Sequence, residues 1–244
     1  MSRGKIMIKV KRLSKSFNGR PILNDISLEV DKGDILAILG ESGAGKSVLL
    51  RHLIGLIRPD AGEIEINSIN ITKLLERDLL KVRKDIGYLF QEGALYDFMD
   101  VEENIAFPLK EHTRFTPEAI HEKVKEVLAM VDLSGIEEQY PSELSGGMKK
   151  RAALARAIVL GSQILFCDEP TSGLDPIRSR DISDLIQNIA RRLGSTVVIT
   201  SHDIRNSFRI ADRLAIIHEG KIIALGKQDQ LLKSPDLFVQ KFLS

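Results

Sequence analysis

The sequence predicts an α/β fold: a parallel sheet wrapped by helices, a small antiparallel layer beside it, and an inserted helical lobe. Three observations predict it. Short, almost wholly apolar runs ("DILAIL", "QILFC", "STVVITS") alternate with helical patterns, as strands buried on both faces do. Near the start, apolar and polar residues instead alternate one by one, the pattern of half-buried strands. Between about residues 92 and 160 the texture becomes helical.

Element by element, "KIMIKVKRLSKSF" and "PILNDISLEV" read as two strands joined through the turn "FNGRP". "DILAIL" is a buried central strand that runs into "GESGAGKS" and then a helix, "VLLRHLIGLI", ended by Arg58-Pro59-Asp60. "GEIEINSINI" alternates as a further strand. In "TPEAIHEKVKEVLAMVDL", Thr116 is the cap, Pro117 the first helical residue, and the apolar spacing is helical. Then "QILFCDE" is a buried strand, "PIRSRDISDLIQNIARRL" a helix, "STVVITS" a strand and "IRNSFRIA" a helix. "RLAIIHEGKIIAL" is a hairpin turning at Glu219-Gly220. Few residues follow the final predicted helix, and no added regulatory domain is expected. The whole reads as a single domain over residues 5–242, with a core of 5–91 and 160–242 and a helical subdomain of 92–159.

Bulk properties set limits. The chain has 244 residues, 43% hydrophobic and 28% charged, enough for a sizeable core under a soluble surface. A net charge of +1 gives no footprint for nucleic acid or an anionic membrane. The one cysteine, Cys167, excludes an intrachain disulfide and suits a reducing compartment. It reads as a small buried apolar residue. The start has no apolar core long enough for a secretory signal, and no apolar run approaches the roughly 20 residues of a spanning helix. Work at a membrane would need another subunit.

Three motifs carry chemistry. "GESGAGKS" sets Gly40 and Gly45 with four residues between them, then Lys46 and Ser47, between a strand and a helix. That is the phosphate-loop pattern. Glycines let consecutive N–H groups turn inward on phosphate, Lys46 adds a mobile charge for the outer phosphates, and Ser47 offers a hydroxyl to Mg²⁺. Second, "ILFCDEP" ends an apolar strand in two acids. Desolvation keeps both from its body, so Asp168 and Glu169 belong at its carboxyl end, where open α/β sheets bind ligands. Asp168 suits Mg²⁺ and Glu169 the attacking water. Third, "ELSGGMKKRAALARA" puts Gly146 and Gly147 at a helix start behind Ser145, a natural N-cap. Bare N–H groups there attract anions, although an ordinary loop-to-helix junction would look the same. His202 and Gln91 each follow a predicted strand and are open to a packing or a γ-phosphate role. Phe17 is open to a core role or to stacking on a base.

Taken together, these pieces resemble the nucleotide-binding subunit of ABC transporters along nearly the full length. "GESGAGKS" looks like its Walker A loop, "ILFCDE" its Walker B strand, Gln91 its Q-loop, "SGLD" (Ser172 to Asp175) its D-loop and His202 its switch histidine. Phe17 falls where that family stacks adenine. "LSGGM" matches the signature, usually LSGGQ, except at Met148. The resemblance implies a phosphate-loop NTPase with a RecA-like core, acting as an ATPase with ATP and Mg²⁺. It places the nucleotide against Phe17, Gly40, Glu41, Ser42, Gly43, Ala44, Gly45, Lys46, Ser47 and Val48. It assigns the metal to Ser47, Gln91 and Asp168, and catalysis to Glu169, His202, Lys46 and Gln91. Ser145, Gly146 and Gly147 would bind the γ-phosphate of ATP held by the other subunit of a head-to-tail homodimer. A permease would dock near residues 91–107.

Within that family, "LFQEGALYDFMDVEENIAFPLKEHT" and "PSELSGGMKKRAALARAI" look like the ATPase subunit of Mla-type transporters, which move phospholipids between the membranes of Gram-negative bacteria. This implies a peripheral protein on the cytoplasmic face of the inner membrane, with other Mla-type subunits as candidate partners. An importer for amino acids or ions is the alternative within the family. A soluble ABC ATPase acting on nucleic acid or ribosomes would generally need a long coiled coil or two fused ATPase domains, which the sequence does not show. A small-molecule kinase would have no use for "LSGGM".

Overall fold

The computed structural model describes residues 5–243. In chain order the elements are β1 (Ile6–Phe17), β2 (Arg20–Asp31), β3 (Ile35–Leu39), α1 (Lys46–Leu53), β4 (Ala61–Ile66), β5 (Ile69–Asn70), α2 (Glu76–Arg83) and β6 (Ile86–Leu89). There follow α3 (Val101–His112), α4 (Pro117–Met130), α5 (Gly146–Ile158), β7 (Ile164–Asp168), α6 (Pro176–Leu193) and β8 (Thr196–Ser201). The last are α7 (Ile204–Ile210), β9 (Arg213–His218), β10 (Lys221–Gly226), α8 (Gln228–Leu231) and α9 (Leu237–Leu243). The chain divides into two compact units, one running up to Arg83 and resuming at Thr196, the other spanning Lys84–Ser195.

In the first unit, β1 is the middle of an antiparallel layer, β2-β1-β4-β5. Its alternation turns Ile8 and Val10 into the core and leaves Lys9 and Lys11 on the far side, paired with Glu29 and Glu65. Four other strands run in the order β10-β9-β3-β8. β3 is parallel to β8, from Ile35 opposite Val197 to Leu39 opposite Ser201, and parallel to β9 on its other side. Every residue of β3 and β8 is buried, which is why both runs are unbroken in apolar character or, at Thr196, Thr200 and Ser201, in small hydroxyls. Their carboxyl ends deliver the Gly40–Gly45 loop and His202.

In the second unit, β6 and β7 are parallel, Ile86 opposite Ile164 and Leu89 opposite Cys167. α3, α4 and α5 pack on one another, and Ile105, Leu109, Val124, Leu128, Ala152 and Ala155 are among the residues they bury. Asp100, Thr116, Ser145 and Asp175 cap α3, α4, α5 and α6, each side chain accepting from a first-turn N–H. Cys167 is fully buried, and burial raises its thiol pKa.

The structure differs from the sequence reading at α1, at the β4–β5 segment and in three added helices. α1 stops at Leu53, not near Arg58, because a glycine turn closes it: Gly55 N donates to His52 O (2.9 Å) and Leu56 N to Arg51 O (2.9 Å). "GEIEINSINI" is a hairpin, since Asn67 and Ser68 both adopt left-handed backbone angles (φ 46° and 67°) and fold β5 back on β4. The helices α2, α8 and α9 are additional. α2 buries Leu79 alone, so its pattern is faint.

α1 also buries a titratable ring. His52 is fully buried, its Nδ1–H donating to Val48 O at 2.7 Å, and its Nε2 has no protein partner. A cavity of about 10 Å³ lined by His52, Arg58 and Thr72 lies beside it, about the volume of one water probe. Burial, more than any neighbour, lowers the ring's pKa below 6.5. The neutral ring is therefore the folded form. Its contribution to stability is complete above pH 6.5 and is lost as pH falls through the folded value, because the unfolded chain takes up the proton first. Urea midpoints measured from pH 7.5 down to 5 should fall for the parent, and the slope should flatten in His52→Gln. Equal slopes would contradict this.

Candidate functional site: a phosphate loop, a carboxylate strand end and a glycine helix start

The first unit carries the phosphate loop. Between β3 and α1 the chain curls around the Lys46 ammonium, which is buried (6% exposed) and donates to Gly40 O (2.9 Å) and Glu41 O (3.1 Å). Ala44 N donates to Glu41 O (3.2 Å), closing the curl. Gly45 caps α1 with φ 102°, and a Cβ there would lie 2.9 Å from Ile22 O, so no other residue fits. No side chain caps this helix, and a helix N-terminus with its dipole attracts anions. Ser47 and Val48 follow in the first turn, half-buried, while Glu41, Ser42 and Gly43 are exposed and Ala44 is half-buried. Phe17 ends β1 with its ring exposed and Lys15 Nζ 5.4 Å from the centroid. His202 is exposed directly after β8.

The second unit carries the acids. Asp168 is the last residue of β7, 4% exposed, with the Tyr88 hydroxyl 3.4 Å from Oδ2. Glu169 is half-buried, and there the chain leaves the strand through a left-handed backbone (φ 46°). For a non-glycine residue that costs on the order of 1 kcal/mol or more, the kind of strain that accumulates where a side chain must be aimed. Gln91 is exposed after β6, its Nε2 donating to Ser172 Oγ at 3.3 Å, so the Q-loop and D-loop resemblances meet in one hydrogen bond. Asp175 accepts from Ile177 N and Arg178 N at 3.0 Å each. These bonds, with Arg178's first, hold its carboxyl below the usual range.

The helix start at α5 carries one side-chain cap, Ser145. Ser145 Oγ accepts from Met148 N at 3.4 Å. Gly146 and Gly147 have ordinary negative φ, and a Cβ on either would meet only Leu174 or Arg178 atoms at 3.9 Å. Nothing in the chain requires glycine at either place, although each weakens the helix by about 1 kcal/mol relative to alanine. Close approach of something outside the chain is what remains to explain them. Gly147 borders a hollow of about 220 Å³ that Ser145, Met148, Arg151 and Arg178 also line, together with the carboxylates Asp132 and Asp181. Gly147→Asp should therefore abolish ATP turnover without unfolding the protein, since its carboxylate would meet the incoming phosphate, whereas Met148→Gln should keep most of it. An active Gly147→Asp protein would contradict an anion site here.

Sequence reasoning missed two groups. Tyr88 contacts Asp168. Lys150 is 8% exposed, and its Nζ donates to the Gln91 carbonyl. Its place in the cationic run Lys149-Lys150-Arg151 concealed it, and the four small residues that follow (Ala152, Ala153, Ala155, Ala157) were the available sign of a packed face.

These features together are those of a nucleotide-hydrolysing cassette. The family model described as ABC transporter matches residues 23–172. The chain is 43% identical over 237 residues to the intermembrane phospholipid transport system ATP-binding protein MlaF of Haemophilus influenzae, covering 97% of this chain and 90% of that one. It is 41% identical to the probable ribonucleotide transport ATP-binding protein mkl of Mycobacterium leprae (98% and 69%). It is 42% identical to the methionine import ATP-binding protein MetN of Carboxydothermus hydrogenoformans (94% and 68%). Among solved structures, the dimeric post-hydrolysis state of the ATP-binding cassette MJ0796 bound to ADP and Pi superimposes with a TM-score of 0.84 at 30% identity, covering 91% of this chain and 98% of that one.

The chain belongs to the ABC transporter family. It is an ATP-binding, ATP-hydrolysing transporter subunit with the cassette fold, and it resembles the Mla type. Cassettes of this family form dimers and work with membrane subunits. Among the described residues no helix is long and apolar enough to cross a membrane.

Proposed function

We propose that this subunit energises phospholipid transport between the inner and outer membranes through a separate permease, from the cytoplasmic face of the inner membrane. The observation that carries the reading is the segment after Gln91, which is Mla-like in sequence and presents aromatic residues outward. Phe98 is 75% exposed and Tyr96 half as much. Their rings pack together at 5.7 Å, and Tyr96 packs on Phe107 at 5.4 Å. The buried Asn104 fixes the backbone beneath them, donating to Tyr96 O, Met99 O and Asp100 O and accepting from Tyr96 N. A rigid, exposed aromatic platform is a docking surface in need of a partner, and residues 91–107 are where the permease docks. Met148 in the signature agrees with the same group.

In this reading the Gly40–Val48 loop binds the phosphates of ATP and Phe17 stacks on its base. Ser47, Asp168 and Gln91 supply oxygen donors for Mg²⁺. That hard donor set fits a small ion which takes one carboxylate and completes its shell with phosphate and water. Glu169 polarises the attacking water, while His202 and Lys46 stabilise charge on the γ-phosphate. Ser145, Gly146 and Gly147 complete the site of the partner copy in a head-to-tail dimer.

Phe98→Glu tests the docking surface. Its exposure makes it the clean variant, since Tyr96 also takes part in the local packing. Membrane subunit recovered with this chain should fall about tenfold or more, while ATP affinity of the isolated subunit stays within about twofold. Undiminished recovery places the docking surface elsewhere. For the substrate, ATP turnover by the complex isolated through this chain should rise with added phospholipid and ignore methionine and ribonucleotides. A response to either of those instead contradicts lipid transport.

A further inference from the structure

The turn that follows Gln91 is held by one helix. Gly93 N donates to Phe90 O at 2.9 Å, Ala94 takes a left-handed φ of 52°, and the carbonyls of residues 91, 93 and 94 point at α5. Two cations of α5 meet them. Lys150 donates to Gln91 O, and Arg156 donates to Gly93 O and Ala94 O, both at 2.8 Å. A Cβ on Gly93 would lie 3.3 Å from the Ala153 Cβ, so the turn rests directly on the helix between those cations.

Lys150 is the unusual member. Burying an ammonium is expensive, and an apolar side chain of the same length would fill the space at less cost. Burial pushes its pKa down, with Glu92 and then Glu169 drawing it back up, so the same ammonium feels the carboxylate assigned to the water. Its hydrogen bond is charge-assisted, hence stiffer than a neutral one. Lys150 lies five residues beyond Ser145 on the same helix, about 7.5 Å along the axis.

We infer that Lys150 is a positioning residue for hydrolysis, fixing Gln91 by its backbone carbonyl to the helix whose start bears Ser145 and Gly147. Gln91 and the signature then move as one piece, and the side-chain amide of Gln91 is aimed by a bond made at its own main chain. This rests on the reading of Gln91 as a metal- and water-side residue. Lys150 itself touches neither nucleotide nor metal.

The test compares Lys150→Met, Lys150→Gln, Gln91→Ala and the Gln91→Ala/Lys150→Met pair in steady-state ATP hydrolysis with Mg²⁺ titrated, beside ATP affinity and melting temperature. Lys150→Met should lower kcat about tenfold or more and raise the Mg²⁺ needed for half-activity, with ATP affinity and melting temperature near the parent's, as misplacement of a positioned group does. Lys150→Gln still offers an N–H to the carbonyl and should recover most of the turnover. The double variant should lose no more than Gln91→Ala alone, because both changes remove one function. Parental kcat and Mg²⁺ dependence in Lys150→Met, or additive losses in the pair, overturn the inference. So do parallel losses of affinity and melting temperature, which mark a role in folding. Should Lys150→Met not fold, Lys150→Leu takes its place: lower turnover than Lys150→Gln supports the inference, and equal turnover by the two overturns it. If Gln91→Ala itself turns over like the parent, the assignment of Gln91 fails instead, a result separate from any on Lys150.

Discussion

Lys46→Ala should abolish ATP hydrolysis and leave a folded protein. The ammonium is held at the mouth of its loop by Gly40 O and Glu41 O, where it can turn to phosphate oxygens as charge builds on them. Losing a preorganised charge of this kind costs about a hundredfold to a thousandfold in kcat. Loss of the two carbonyl contacts costs the fold only about 1 kcal/mol each, and β3 and α1 on either side keep their own buried partners. Turnover by Lys46→Ala within a few-fold of the parent would remove the phosphate-loop assignment.

The second large effect belongs to Glu169→Gln. Glutamine keeps the size of the side chain and tolerates the same half-buried, left-handed position, so nucleotide binding should survive. It cannot take a proton from water, and loss of a general base costs about a hundredfold to ten-thousandfold. With ATP bound and uncleaved, two subunits should remain joined through the α5 helix starts, doubling the mass seen by light scattering on adding ATP and Mg²⁺. Hydrolysis at the parent rate would refute the role of Glu169.

The sequence made legible what local chemistry alone decides. β3, β7 and β8 read directly because every position is buried. α6 read to the residue because Asp175 and Pro176 start it and Gly194 ends it. The hairpin at Glu219-Gly220 read correctly, both residues taking positive φ, yet the same geometry at Asn67-Ser68 did not, because a short polar pair inside an alternating run also suits a strand. The phosphate loop was legible because its glycines and lysine must stand at fixed spacing to work. Lys150 was not, since its burial is set by a carbonyl 59 residues earlier in the chain. A lysine in a cationic run says nothing of such a partner. Likewise, the strain at Glu169 and the open space around Gly146 and Gly147 are facts of three dimensions. They turn a helix start that could have been ordinary into one that has reason to meet a second molecule.

The claim that this ATPase drives phospholipid movement is met most directly by a transfer assay. The complex isolated through this chain is placed in vesicles with labelled phospholipid, and label reaching acceptor vesicles is followed after ATP and Mg²⁺ are added. Transfer should begin with ATP, stop when it is exhausted, and be absent from a complex of the same composition carrying Glu169→Gln. Equal transfer by the parent and Glu169→Gln complexes, or ATP turnover with no transfer of label, would contradict it.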